Sequence, residues 1–264
     1  MSKFLGIDCG ATNLRIGIFD GQGNLLNKWK INSPLKTNPN QFAQIVKDQI
    51  GEEKIESIGV GVPGPLDLET GSILPSANLG NTKPIEVTRQ FEAVFDIKIY
   101  LDRDTNVALL GEAWKGAAVG LKDVIMLTLG SGVGGAIMTN GQIEHGESGK
   151  AGELGHMIIG VKKVPVCGLG HDSCLEALIN STQDLDELGT YLGLGLANIV
   201  NIFNPEKIII GGGKINMGDF LSKAKEVMKE KGMKPAIDEV SVEYAKLKDD
   251  SGVYGAAKLC LDSK

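Results

Sequence analysis

Short apolar runs separated by polar turns set the pattern at the start of the chain. Residues 4–7 and 14–19 are apolar runs bounded by glycine and polar residues, which predicts two paired strands. The turn between them contains four conspicuous residues: Asp8, Gly10, Thr12 and Asn13. A turn needs the glycine for backbone freedom, but it does not need an acid, a hydroxyl and an amide together. We therefore expect a polar, anionic ligand here; a local role in shaping the turn is the alternative.

The same pattern returns at residues 125–138, IMLTLGSGVGGAIM, where two apolar runs again flank a turn of glycine and hydroxyl residues. When the two hairpins are aligned, Thr128 falls on Asp8 and Gly130 falls on Gly10. The match is short, so chance similarity between two glycine turns is the alternative to an internal repeat. A repeat predicts two similar domains.

Strand and helix patterns alternate along the rest of the chain. After the first hairpin the pattern predicts an amphipathic segment at 40–50, strand Ser57–Val62, a loop rich in proline and glycine at 63–81, helix 84–95, strand 97–101 and a helix opening at Asp104. After the second hairpin it predicts helix Leu185–Phe203, strand 207–210, helix 217–231 and a short helix at 251–261. This alternation predicts an α/β sheet in each half.

Composition narrows the class of protein. The 264 residues are 42% hydrophobic, which is enough for two domains of about 100 to 150 residues each. The net charge is −6 and basic residues form no long run, which argues against a nucleic-acid partner. The sequence has no leader-like or membrane-spanning stretch, so we expect a cytoplasmic protein without a membrane partner. The four cysteines, at 9, 167, 174 and 260, are too scattered for a disulfide framework.

Glycine is the outlier in this composition. The 36 glycines are about twice the usual share, and they gather at 59–64, 130–135, 146–155, 168–170 and 211–213. Most of these clusters follow an apolar run that reads as a strand. Glycine clusters after strands suggest that the backbone approaches the phosphates or sugars of a ligand.

Seven motifs follow one another along the chain: GIDCGATNLRIGIFD, GVGVPGPLD, RDTN, TLGSGVGGAI, GELGH, CGLGHDSCLE and NPEKIIIGGG. In this order they resemble the sugar kinases of the ROK family, within the actin, Hsp70 and hexokinase superfamily. The first and fourth motifs resemble the two phosphate motifs, the last resembles the adenosine motif, and the others resemble the sugar-side motifs. Within the family, the GATNLR turn, Arg-Asp-x-Asn and SGVYGAA are most similar to D-allose kinases.

The resemblance implies an α/β fold of two actin-like (ribonuclease H-like) domains that enclose a cleft. The expected domains are 1–115, with helix 251–264 returning to it, and 116–250. The family expectation is a homodimer. A helical segment that members carry between the cysteine motif and helix Leu185–Phe203 is nearly absent here.

The implied activity is ATP-dependent phosphorylation of a hexose of the allose, glucose or N-acetylmannosamine type. Phosphoryl transfer needs the phosphates held and the acceptor hydroxyl aimed in line. Asp8 would repel a bare phosphate, so we expect it to hold Mg²⁺, directly or through water. The full set of expected nucleotide-binding residues is Asp8, Gly10, Thr12, Asn13, Thr128, Gly130, Gly132, Gly211 and Gly212.

Asp104 follows a predicted strand and opens a predicted helix. The resemblance implies that it is the general base for the sugar hydroxyl, and a helix N-cap is the alternative because Asp is favoured there. The neighbouring Asp102 is interpreted as a solvated or structural acid. The resemblance also implies sugar contacts from Gly64, Asn78, Arg103, Asp104, Glu153, His156 and Glu176. Most relatives have Asn at the position of Arg103, and because Arg only donates hydrogen bonds, a preference for glucose is in doubt.

A structural zinc site is the second departure from the family pattern. The family motif is Cys-x-Cys-Gly-x-x-Gly-Cys-x-Glu, and here Leu169 stands at the middle cysteine, where it cannot bind a metal. The nearby His171 can replace it, which would give a tetrahedron of His156, Cys167, His171 and Cys174. The alternative is a protein without zinc.

Two other classes of function compete with the kinase. Some ROK members are sugar-sensing repressors, which carry a DNA-binding helix-turn-helix before the first phosphate strand, whereas only Met1 to Lys3 precede it here. An ATPase switch or chaperone of the same superfamily would lack the Glu-x-Gly-His and cysteine motifs. The sequence therefore favours a sugar kinase that binds ATP and a sugar.

Overall fold

The structure, a computed structural model, describes residues 2–76, 79–160 and 166–262. Its contacts divide the chain into two compact units. Unit 1 consists of Met1–Val119, His145–Ala151 and Asp249–Lys264, and unit 2 consists of Gly120–Glu144 and Gly152–Lys248. The segment His145–Ala151 thus belongs to unit 1 although it lies within the range 116–250. The predicted domain bounds and the cleft between the domains stay predictions.

The described residues form strands and helices that alternate along the chain. The strands are β1 (Lys3–Cys9), β2 (Asn13–Asp20), β3 (Leu25–Asn32), β4 (Ser57–Val62), β5 (Leu66–Asp67), β6 (Ser72–Ile73), β7 (Ile85–Glu86), β8 (Lys98–Arg103), β9 (Val124–Leu129), β10 (Val133–Thr139), β11 (Gln142–Ile143), β12 (Lys207–Gly211) and β13 (Ser241–Tyr244). The helices are α1 (Phe42–Ile50), α2 (Val87–Phe95), α3 (Asp104–Lys115), α4 (Leu175–Asn180), α5 (Leu185–Phe203), α6 (Leu221–Lys231), α7 (Lys234–Glu239) and α8 (Ser251–Asp262).

Each predicted element is present, with shifted bounds in two helices. The helix predicted at 84–95 begins at Val87, because Ile85–Glu86 forms a strand that pairs with β6. The helix predicted at 217–231 begins at Leu221, because a 3₁₀ turn at Gly213–Met217 precedes it. The strands β3, β5, β6, β7, β11 and β13 and the helices α4 and α7 are additions to the predicted set.

The sheet of unit 1 brings three strand ends to one edge. Its order is β3-β2-β1-β4-β8, with β1 antiparallel to β2 and parallel to β4, and β4 parallel to β8. In this register Asp8 lies opposite Gly61, and Gly61 lies opposite Asp102. Ligand sites of α/β sheets lie at the carboxyl ends of parallel strands, so this edge is where a site is expected.

Two glycines allow α8 to lie directly on the sheet of unit 1. A Cβ added to Gly6 would stand 2.3 Å from the carbonyl oxygen of Val253, and one added to Gly59 would stand 1.8 Å from that of Ala256. Real Cβ atoms do not approach a backbone oxygen this closely. The sequence therefore brings helix and sheet backbones together at positions where no side chain fits.

The sheet of unit 2 repeats the order of the first. It runs β11-β10-β9-β12-β13, so each sheet is a three-stranded antiparallel meander extended by two parallel strands. Thr128 lies opposite Gly211, just as Asp8 lies opposite Gly61 in unit 1. The repeat predicted from the two hairpins is confirmed in strand order.

Helix α5 packs on the sheet of unit 2 and has a clear cap at each end. The side chain of Asp184 accepts a hydrogen bond from Glu187 N at 2.9 Å at the start. Asn204 ends the helix in the left-handed conformation, with φ of 44°. The predicted end at Asn204-Pro205 is confirmed. In the described part of the chain, α5 and the other helices fall short of the length and apolar character needed to cross a bilayer.

Candidate functional site

Asp8, at the carboxyl edge of the unit 1 sheet, has an unusual electrostatic environment. Its Oδ2 lies 3.5 Å from Nη1 of Arg15, its direct neighbour on β2. Burial raises the pKa of Asp8 to about 7, and the nearby charge of Asp104 also raises it, while Arg15 lowers it. Asp8 and Asp104 therefore share one environment, in which a cation would stabilise the ionised forms of both.

Asp104 is the first residue of α3. Arg103 occupies the N-cap position and makes no side-chain cap bond, whereas Asp104 Oδ1 accepts from Thr105 N at 2.7 Å. The alternative role of Asp104, as the helix N-cap, is thus wrong by one position. An acid in the first turn is favoured by the helix dipole. A Cβ added to Gly61 would lie 3.5 Å from Asp104 Cα, at ordinary contact distance, so the first residue of α3 lies directly beside the sheet edge.

Asp102 is buried, with 4% of its surface exposed, so its interpretation as a solvated acid is wrong and the structural alternative holds. Its Oδ1 accepts hydrogen bonds from Arg103 N at 2.7 Å and from Asn106 Nδ2 at 2.8 Å. Its Oδ2 lies 2.8 Å from Nε2 of His145. Sequence reasoning missed His145, because 43 residues separate it from Asp102 and no motif marks it.

Arg103 is also buried, with 5% of its surface exposed. Its Nη2 donates to Asn106 Oδ1 at 3.2 Å and to the carbonyl oxygen of Ala151. The guanidinium thus holds protein groups of unit 1. A direct contact between Arg103 and a sugar stays a prediction.

The two hairpin turns close on themselves through a glycine amide. Gly10 N donates to Asn13 O, and Gly130 N donates to Gly132 O, each at 2.9 Å. These two N–H groups are therefore used within the turns and are not available to a phosphate, which limits the predicted roles of Gly10 and Gly130 in nucleotide binding. We expect the donors in the middle of each turn, at residues 11–12 and 131–132.

The second turn is held by the short helix α4. Glu176, which is buried, accepts a hydrogen bond from Val133 N at 2.8 Å, and Asn180 Nδ2 donates to Ser131 O at 3.0 Å. The two side chains are four residues apart and so lie on one face of the helix. Glu176 therefore lies beside the second hairpin turn; its contact with a sugar ring stays a prediction.

The predicted adenosine motif lies next to the same turn. Gly211 is opposite Thr128 in the sheet. Gly212 has φ of 88°, and a Cβ there would stand 2.4 Å from the carbonyl oxygen of Leu129. Only glycine fits at this position, so the chain can turn sharply from β12 against the end of β9.

His156, Cys167, His171 and Cys174 form one cluster in unit 2, with ligand atoms all within 4.8 Å of one another. Cys167 Sγ is 3.7 Å from His156 Nδ1, while His156 Nε2 is 3.9 Å from Glu153 Oε2. His171 Nδ1 is buried with no hydrogen-bond partner among the described residues, which is expected of an atom that binds a metal. Leu169 is 64% exposed. This donor set of two imidazoles and two thiols fits zinc.

The predicted site residues fall into two sets, one in each unit. Unit 1 holds Asp8, Gly10, Thr12, Asn13, Gly64, Arg103 and Asp104; unit 2 holds Thr128, Gly130, Gly132, Glu153, His156, Cys167, His171, Cys174, Glu176, Gly211 and Gly212. Gly64 follows β4 with φ of 94°. Asn78 lies outside the described residues.

Two sheets of like order, each opening with a glycine turn between its first two strands, define an α/β protein of the actin-like fold. The model of the ROK family matches residues 4–183 and 179–263, and the chain belongs to this family.

Known relatives include kinases and a repressor. The chain is 29% identical to a glucokinase of Halalkalibacterium halodurans, over 97% of this chain and 94% of that protein. It is 26% identical to a xylose repressor of Caldicellulosiruptor bescii, over 99% of this chain and 78% of that protein. Its structure is similar to that of a ROK hexokinase from Thermus thermophilus, with a TM-score of 0.83, 28% identity and 97% of each chain covered.

Proposed function

We propose that the protein is an ATP-dependent sugar kinase that transfers the γ-phosphoryl group of ATP to a hydroxyl of a hexose. The observation that carries the proposal is the closeness of Asp8 and Asp104 at the carboxyl edge of the unit 1 sheet, where the charge of Asp104 helps to raise the pKa of Asp8. Two neighbouring acids at a strand edge suit one cation and one base. The kinases among the relatives support the same activity.

Asp104 acts as the general base in this proposal. Its carboxylate accepts the proton of the attacking sugar hydroxyl, the hydroxyl oxygen forms a bond to the γ-phosphorus, and the bond from that phosphorus to the bridging oxygen of ADP breaks. The dipole of α3 stabilises the ionised form of Asp104 before the transfer. Asp8 would hold Mg²⁺, directly or through water, and the ion would offset the charge of the phosphates.

The nucleotide would contact the two hairpin turns and the glycines at the end of β12. Mid-turn amides and the hydroxyls of Thr12 and Thr128 are suited to phosphate oxygens. Gly211 and Gly212 let the backbone come close to the adenosine. The neighbouring Glu176 orients the second turn through Val133 N.

The proposed sugar is a hexose of the allose, glucose or N-acetylmannosamine type. Its expected ligands are Gly64, Asn78, Arg103, Asp104, Glu153, His156 and Glu176. His156 has Nε2 toward Glu153 and Nδ1 toward Cys167, so it can serve a sugar with one nitrogen and zinc with the other. In this role zinc would be structural and would hold the loop that carries Cys167 and His171.

A panel of aldohexoses and N-acetylhexosamines tests the proposal. The purified protein is incubated with Mg-ATP and each sugar, and ADP release is followed in a coupled assay. We expect saturable turnover with at least one sugar of the panel. No turnover with any of them, in a protein that binds ATP, would reject the kinase.

A sugar-sensing regulator without kinase activity is the second candidate, and the similarity to a xylose repressor over 99% of the chain favours it. Sugar binding without turnover in the same panel, measured by calorimetry, would support it.

For the kinase we propose a cytoplasmic homodimer. All four cysteines lie among the described residues and none of them forms a disulfide, which suits a reducing compartment.

A further inference from the structure

The segment His145–Ala151 is a closed loop of unit 1 whose two ends lie side by side. Ala151 N donates to His145 O at 3.0 Å, and Gly149 N donates to Gly146 O at 3.4 Å within the loop. The residues between the ends are mostly exposed, although the loop passes Leu68 near Gly149. The ends are therefore the places where unit 1 can fix the loop.

Two consecutive residues at the end of β8 hold these two ends. Asp102 Oδ2 lies 2.8 Å from His145 Nε2 at the first end, and Arg103 Nη2 donates to Ala151 O at the second. Asn106 connects the pair, since its Nδ2 donates to Asp102 Oδ1 at 2.8 Å and its Oδ1 accepts from Arg103 Nη2 at 3.2 Å. We call Asp102, Arg103, Asn106 and His145 the loop clamp.

The loop clamp is buried at its centre. Asp102, Arg103 and Asn106 are 4%, 5% and 1% exposed. A buried network of charged and polar groups adds little net stability compared with apolar side chains, but its hydrogen bonds favour one arrangement of the backbone. Its role is therefore to set geometry.

We propose that the loop clamp positions two groups for phosphoryl transfer: Asp104, and the stretch of chain that leads to Glu153. This role rests on the proposed function. Arg103 N donates to Asp102 Oδ1 at 2.7 Å, so the backbone is fixed at the residue before the general base. Ala151 is held two residues before Glu153, a predicted sugar ligand. One network thus fixes the chain ahead of both groups. Arg103 acts through Ala151, as a positioning residue, and His145 is its counterpart at the other end of the loop.

Three variants separate this role from simple structural support. His145→Phe removes both ring nitrogens but keeps a ring on a side chain that is only partly buried, 36% exposed. His145→Gln keeps an N–H donor and is the conservative variant. Glu147→Gln is the matched control, because Glu147 is an exposed residue of the same loop and is outside the clamp. Thermal unfolding is measured for all of them, so that a folding defect is recognised.

Two readouts follow from the geometry, and the first is kinetic. Misplacement of a catalytic group by about 1 Å can cost roughly 10²-fold in rate, so we expect His145→Phe to lower kcat/KM for the sugar by about 10- to 100-fold. The KM for ATP should stay within about twofold of wild type, because none of the four residues of the loop clamp is an expected nucleotide ligand. His145→Gln should recover most of the loss, and Glu147→Gln should match wild type.

The second readout needs no activity. Lys150 is an exposed trypsin site inside the loop, and its cleavage in the folded protein is followed by mass spectrometry. We expect His145→Phe to speed cleavage after Lys150, and Glu147→Gln to leave it unchanged. Unchanged cleavage in His145→Phe would show that no clamp holds the loop. Faster cleavage with unchanged sugar kinetics would show that the clamp does not position the base; either result overturns the proposal. A wild-type protein that phosphorylates no sugar would instead reject the proposed function, while the cleavage comparison would still decide whether the clamp exists.

Discussion

Asp8 Oδ2 lies 3.5 Å from Arg15 Nη1, and Nη2 of the same guanidinium donates to Asp249 Oδ2 at 2.9 Å. Arg15 is thus shared between two carboxylates, and it lowers the pKa of Asp249. Asp8 keeps a pKa of about 7, above its ordinary value of 3.8. The folded protein therefore binds this proton more tightly than the unfolded chain. Asp8 then stabilises the fold at acid pH, and that contribution is lost as the pH rises through 7.

We expect Asp8→Asn to remove this pH dependence. Relative to the variant, the wild-type protein should lose up to about 4 kcal/mol of unfolding free energy between pH 4 and pH 7 and change little above pH 8. Urea unfolding in metal-free buffer measures this difference in unfolding free energy. It is followed by the fluorescence of Trp29 and Trp114, both of which lie in unit 1. Glu52→Gln, at an exposed carboxylate of the same unit, is the control. Parallel pH curves for Asp8→Asn and wild type would contradict the raised pKa.

Asp104→Asn tests the general base. The substitution keeps the shape but removes the proton acceptor, so kcat should fall by roughly 10²- to 10⁴-fold. The lost interaction with the dipole of α3 is worth only about 0.3 to 1 kcal/mol, so the variant should stay folded. ATP binding should barely change. A stable variant that binds ATP and keeps activity within about threefold of wild type would rule out this mechanism.

Metal analysis tests the replacement of the middle cysteine by His171. We expect about one zinc per chain in the wild-type protein and a loss of zinc in His171→Ala, because three ligands do not complete a structural tetrahedron. Leu169→Cys combined with His171→Ala restores the family pattern and should recover zinc. Wild-type protein without zinc after purification in zinc-containing buffer, or a His171→Ala variant with full zinc content, would show that His171 is not a ligand.

Gly59→Ala tests the close packing of α8 on the sheet of unit 1. The added methyl group would stand 1.8 Å from the carbonyl oxygen of Ala256, and backbone cannot yield as a side chain can. We expect a loss of about 3 kcal/mol in the unfolding free energy of unit 1, at the upper end for overpacking. Gly21→Ala is the matched control, since among the described residues no atom beyond its two chain neighbours lies within 4 Å of its Cβ position. Equal tryptophan-monitored unfolding curves for the two variants would argue against the tight contact.

The strands and helices that the sequence predicts are those with strong periodic patterns. The hairpin of β1 and β2 is marked by buried apolar runs, and α5 is marked by its length and by Asn204-Pro205 at its end. Strand β3 was missed because it is an outer strand with mostly exposed residues, and β13 because it has only four residues. Such strands form because they pair with other strands of their sheets. The local pattern of hydrophobic and polar residues contains no sign of this pairing.

The residues of the candidate site also divide into those that the sequence predicts and those that it misses. Asp8 and Asp104 are predictable because each follows an apolar strand and lies in a family motif. The contact between Asp102 and His145 cannot be predicted from the sequence. It depends on the loop His145–Ala151, which belongs to unit 1 although the residues on both sides of it in the chain belong to unit 2. The cluster around His171 was within reach of the sequence, since three of its members are spaced within eight residues.

The contact of α8 with β1 and β4 has a consequence for biosynthesis. Asp249–Lys264, which completes unit 1, follows all of unit 2 in the chain. On the ribosome, the unit that begins first therefore finishes second, against the usual order in which N-terminal domains fold first. A chain truncated after residue 248 and released from the ribosome should contain a protease-resistant unit 2 and a protease-sensitive unit 1. Until α8 emerges, the faces of Gly6 and Gly59 lie bare, and the cell must shield this surface from aggregation for the time it takes to translate the whole of unit 2.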